Sequence, residues 1–125
     1  MAKKPKREPK REKRITMEIV VDCYNRDEVA MGWYYYMEGQ LCFPFTATCI
    51  AHRAVSPLRV KDEIEVIGMP PETECECEVF VTIQWDRQEG LAVPLAQLKP
   101  IRSTDTQTKE AVADWHYWRD TGYQY

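Results

Sequence analysis

From Glu74 to Asp86 the chain alternates without a slip. Cys75, Cys77, Val79, Val81, Ile83 and Trp85 fall on one side of an extended backbone, and Glu74, Glu76, Glu78, Thr82, Gln84 and Asp86 on the other. Period two is the signature of a half-buried antiparallel strand, which needs a partner strand and a core under its apolar side. Asp62 to Ile67 (DEIEVI) alternates in the same way, and the intervening Gly68 to Thr73 (GMPPET) carries a glycine and two prolines that favour a turn. Beyond the long strand, Arg87 to Gly90 (RQEG) makes a second polar turn into Leu91 to Pro94 (LAVP). Three sequential strands thus form a meander with one apolar and one acidic face. The expected fold is α+β, a small antiparallel SH3-like β-barrel with peripheral helices.

The helices and remaining strands follow from shorter signals. Ile15 to Cys23 (ITMEIVVDC) is rich in β-branched residues and is expected as a first strand or extended lead-in. Asn25 with Glu28 forms a capping box, and the apolar series Val29 or Ala30, Trp33, Met37 has helical spacing up to a stop at Gly39. On a helix the run Trp33 to Tyr36 (WYYY) points to different sides, which favours core packing over a base-stacking platform. Phe45, Ala47 and Cys49 alternate with Thr46 and Thr48 in another strand, bent at its start by Pro44. Pro94 to Leu98 (PLAQL) makes a short helical turn. Thr104 or Asp105 then caps a final helix on which Ala111, Trp115 and Trp118 recur, with Gly122 placed to end it.

Charge divides the chain. Residues 1–14 hold eight Lys or Arg against two Glu, whereas the other 111 hold nine basic against eighteen acidic residues. The basic segment has no apolar run and is expected to be a disordered tail, with residues 15–125 forming a single domain. No stretch has a signal-peptide core or the length to span a bilayer, so the expectation is a cytoplasmic monomer without membrane contact. Five cysteines, Cys23, Cys42, Cys49, Cys75 and Cys77, are an odd number without secretory context and are expected as free thiols. With His52 and His116 they can in principle bind zinc, but their spacing is not CxxC and inward-facing cysteines ordinarily pack as small hydrophobes.

No phosphate-cradling glycine loop, HExxH or GxSxG is present, which argues against an enzyme. The chemical concentration is carboxylate. Glu72, Glu74, Glu76 and Glu78 recur at every second residue, so on a strand those from Glu74 onward project from one face at about 7 Å intervals. Such a row creates a strong negative potential that a divalent, oxygen-preferring cation such as calcium can relieve, with Asp62, Glu63 and Glu65 contributing from the partner strand. A solvated acidic face that keeps the sheet soluble is the competing explanation. Glu38, in the last turn of its helix, sits beside the negative dipole end and the open carbonyls there, another set of oxygen donors for a hard cation, or else it points into water. The EF-hand loop pattern is absent, so any site is assembled from separate segments and is of weak to intermediate affinity.

The runs MGWYYYMEGQLCFPFTATCI (Met31 to Ile50), SPLRVKDEIEVIGM (Ser56 to Met69), CECEVFVTIQW (Cys75 to Trp85), GLAVPLAQL (Gly90 to Leu98) and DTQTKEAVADWHYWRDTGY (Asp105 to Tyr123) resemble the bacterial calcium-binding family first known from cyanobacteria, CcbP. The motifs FPF, VPLAQL and DWHYW carry most of the resemblance. It implies a compact α+β protein that binds Ca2+ at acidic surface sites as a cytosolic buffer or sensor. The expected metal ligands are Glu38, Asp62, Glu65, Glu74, Glu76 and Glu78. The alternative is a small barrel that binds nucleic acid, or another acidic partner, weakly through residues 1–14.

Overall fold

The computed structural model describes residues 8–20, 23, 25–54, 56–75, 78–85 and 88–120. β1 is Phe45–Cys49, β2 Glu63–Gly68, β3 Phe80–Trp85, β4 Gln88–Pro94 and β5 Leu98–Pro100. They form one antiparallel sheet in the order β4-β3-β2-β1-β5, with the meander β2-β3-β4 as expected. Period-two patterning marks the cores of the strands, although β3 starts later than the alternation and β4 takes in Gln88 to Gly90 of the expected turn. Phe45, Ala47 and Cys49 are buried while Thr46 and Thr48 are half-exposed. Val66 lies opposite Ile83, and Val81 opposite Val93, so apolar pairs cross the sheet on its inner face. The α+β class holds, but among the described residues β4 and β5 remain separate edges, so the sheet is open rather than closed into the SH3-like barrel.

Helix α2, Arg26–Gln40, begins at the capping box: Asn25 Oδ1 accepts from the Glu28 amide at 2.9 Å. Helix α3, Thr106–Asp120, is capped by Asp105, whose carboxylate accepts from the Thr108 amide at 2.8 Å. That bond holds the Asp105 carboxyl below its ordinary pKa. The two helices lay their aromatic residues together over the sheet. Trp33 is fully buried, 5.0 Å from the Trp115 ring centroid and 5.6 Å from that of Trp118, in edge-on or tilted geometries that favour ring quadrupoles. Leu95–Gln97 is the expected short turn, of 3-10 type. Gly122, expected to end α3, lies outside the described residues.

The N-terminal region departs from expectation. Pro9–Arg14 is a helix, α1, and Ile15–Ile19 continues it with π-type pairing, where the end of a disordered tail and then a strand or extended lead-in were expected; residues 1–7 of that tail lie outside the described residues. Ile15 and Ile19, four residues apart, are both buried on one helical face. What fixes α1 is Asp114 on α3, which is completely buried. Its carboxylate accepts from Arg11 Nη1 at 2.6 Å, Arg14 Nε at 2.8 Å and Nη2 at 2.7 Å, and the Tyr36 hydroxyl at 3.0 Å. A charge fully removed from water is tolerated only when its lone pairs are filled in this way. Burial, with the Asp114 charge beside it, raises the Tyr36 phenol pKa, so Tyr36 stays a donor.

Candidate functional site

The acidic row expected along one strand is broken up. The strand begins only at Phe80; Glu72–Cys75 is instead a 3-10 turn on the loop between β2 and β3. Cys75 is buried, and its sulfur accepts from the Phe80 amide at 3.4 Å, which folds the chain back on itself just before the strand. Burial raises the pKa of this thiol. Glu74 is exposed on the turn. Glu78 is half-buried and turned toward two arginines: Arg53 donates to both its oxygens at 2.7 and 2.9 Å, and Arg119 donates at 2.6 Å. The positive charge that relieves this glutamate comes from the protein itself, so Glu78 is not placed as a free ligand. Glu76 and Cys77 lie outside the described residues, and the described cysteines, Cys23, Cys42, Cys49 and Cys75, are free thiols.

The partner-strand candidates also separate. The Asp62 carboxylate accepts from the Arg59 amide at 2.8 Å and so shapes the tight turn before β2. It sits at the opposite end of β2 from the acidic loop, roughly 20 Å away along the strand. Glu65 is exposed opposite Thr46.

Two exposed carboxylates sit on elements that pack together. Glu38 is exposed in the last turn of α2, and Glu72 opens the 3-10 turn that packs against this helix. The loop is tied to α2 by consecutive tyrosines: Tyr34 donates to the Pro70 carbonyl at 2.8 Å, and Tyr35 donates to Glu72 Oε2 at 3.0 Å. Burial and then the charges of Glu38, Cys75 and Glu72 raise the Tyr34 pKa, while Glu72 above all, then burial and Glu38, raises that of Tyr35. The open helix end is partly used, since the Met37 carbonyl accepts from the Leu41 amide and that of Gln40 from the Gln107 side chain. Among the described residues no three His, Cys, Asp or Glu side chains stand close enough to form a metal cluster by themselves. Glu38, Glu72 and Glu74 are exposed carboxylates on two elements that pack together. Among the described residues no helix is long and apolar enough to cross a membrane.

The tyrosine anchors are readable in WYYY only as aromatic residues, because their acceptors lie more than thirty residues away. Asp114 had a detectable signal: it sits within the apolar stripe Ala111, Trp115, Trp118 of α3, where a carboxylate needs a cation.

The family model described as calcium binding, of the CcbP type, matches residues 13–119. Among curated proteins none matches the chain significantly. A crystal structure of Anabaena CcbP is 35% identical and superposes with a TM-score of 0.84 over 97% of this chain and 98% of that one. A calcium binding protein solved in its calcium-binding form is 34% identical, with a TM-score of 0.83 over 95% of this chain and 96% of that one. None of these comparisons supports the nucleic-acid alternative. With the family match spanning most of the sequence and the fold shared along nearly its full length, the chain belongs to the CcbP calcium-binding family.

Proposed function

We propose that the chain binds Ca2+ reversibly where the end of α2 meets the Glu72–Cys75 turn, and that it serves as a cytoplasmic, non-enzymatic calcium buffer or sensor. The observation that carries the binding is its membership of a calcium-binding family, with a neighbour of the same fold described in a calcium-binding form. For the location, the support is that Tyr35 of α2 holds Glu72 by a hydrogen bond, while Glu38 stands exposed in the last turn of the same helix. Carboxylates are hard oxygen donors, and two or three of them completed by carbonyls and water suit calcium, which takes six to eight oxygens in irregular geometry. Magnesium, which demands octahedral geometry and dehydrates reluctantly, is disfavoured on such a surface. So few charged ligands correspond to weak or intermediate affinity.

Calorimetric titration of variants tests the location. Glu38→Gln and Glu72→Gln each weaken calcium binding by about tenfold or more, since each removes a charged ligand. Glu65→Gln, on the sheet surface, leaves it unchanged. Wild-type affinity in both of the first two variants would put the site elsewhere.

A further inference from the structure

The acidic loop is tied down on either side of residues 76–77, which lie outside the described residues. On its N-terminal side the tyrosines of α2 fix Pro70 and Glu72; on its C-terminal side stands Glu78 between Arg53 and Arg119. Glu78 is the least exposed of these three side chains, at 12% against 33% for Arg53 and 37% for Arg119. The Arg53 pair is bidentate, the geometry in which a guanidinium fixes direction as well as charge. Arg119 belongs to the last turn of α3, lies 6.0 Å from the centroid of the Trp115 ring, and takes the same Glu78 oxygen as Arg53 Nη1. One carboxylate thus joins three separate parts of the chain: the segment before Ser56, the acidic loop, and the end of α3.

We infer that Arg53 and Arg119 are positioning residues for calcium binding, with Glu78 as the pin through which they hold the acidic loop in its binding shape. This rests on the calcium site being at that loop. Both Glu78 oxygens accept from guanidinium groups, which neutralises its charge within the protein. Two guanidinium groups beside a cation site repel the ion, so their direct electrostatic effect on affinity is unfavourable. Positioning works in the opposite direction: a loop already held in shape spends less ordering entropy when the ion arrives. The two effects differ in sign, which makes them separable. Linkage adds a consequence. If the Arg119 contact favours calcium, calcium favours the Arg119 contact equally, and occupancy of the loop steadies the end of α3.

The test is calorimetric titration with CaCl2 of the wild-type chain and of Arg53→Gln, Arg53→Lys and Arg119→Gln, each first checked for native circular dichroism. Arg53→Gln weakens binding by about tenfold, in the range seen when groups that orient metal ligands are removed. Arg53→Lys keeps the charge, loses the bidentate geometry, and weakens binding less but measurably. Arg119→Gln, partly exposed at a helix end, serves as an independent folded variant and also weakens binding. Amide exchange in the last turn of α3 slows when calcium is added to wild type and does not in Arg119→Gln. Unchanged or tighter binding in Arg53→Gln and Arg119→Gln overturns the positioning role alone. Absence of calcium binding in wild type overturns the underlying functional reading, and this role with it.

Discussion

Asp114 concentrates the energetic risk of this molecule in one side chain. It has no exposure, while Arg11 and Arg14, which neutralise it, keep 15% and 32% of their side-chain surface in water. The two sides of the ion pair are therefore unequal. Removing both cations leaves a buried charge with Tyr36 as its remaining donor among the described residues; removing the carboxylate charge leaves arginines that can turn outward and rehydrate. Arg11→Met with Arg14→Met should cost about 3–5 kcal/mol, the range for an uncompensated buried charge. Asp114→Asn, which can still accept from Tyr36, should cost about 1–2 kcal/mol. Urea unfolding followed by tryptophan fluorescence measures both, and the reverse order would contradict this assignment of the burden. Sequence composition hid the arrangement. A run of Lys, Arg and Glu without apolar residues satisfies the rule for disorder, and only its partner on α3, a hundred residues away, gives two of those arginines a folded role.

Among the elements, the π-turn Ile15–Ile19 and helix α2 meet at a glycine. A Cβ on Gly32 would collide with the Ile19 carbonyl oxygen, and this neighbour is backbone that cannot swing aside. Gly32→Ala should therefore displace Ile15–Ile19 and destabilise by about 1–3 kcal/mol, the usual cost of overpacking. Gly39, in the same helix, has nothing within 4 Å of its virtual Cβ and no positive φ, so Gly39→Ala should stabilise by about 0.5–1 kcal/mol through helix propensity. Thermal unfolding of the pair measures the contrast, and equal shifts would remove the close approach as its cause. Strands and capped helices were legible because their signals are local: alternation set β1 through β3, and Asn25 and Asp105 marked the starts of α2 and α3. The long alternation from Glu74 misled because Glu78 finds two cations and Cys75 caps Phe80, and such tertiary bonds outweigh a period that local pattern alone cannot distinguish from a turn.

As a whole, the protein is an open five-stranded sheet covered by aromatic-rich helices, with a basic first helix folded onto an acidic body. The sequence motifs conveyed the family and its ion; of the six expected carboxylates, Glu38, Glu65 and Glu74 are exposed, Asp62 accepts from the turn before β2, Glu78 is engaged by arginines, and Glu76 lies outside the described residues. A metal site on a surface is assembled from separate segments, and residue spacing along the chain does not encode which segments meet. Calcium binding is tested most directly by calorimetric titration of metal-free full-length chain with CaCl2 in physiological salt and excess Mg2+. Saturable heat with a defined stoichiometry, retained against magnesium, is the expected result. No heat up to millimolar calcium at two temperatures would contradict it and leave the carboxylates as a solvated face.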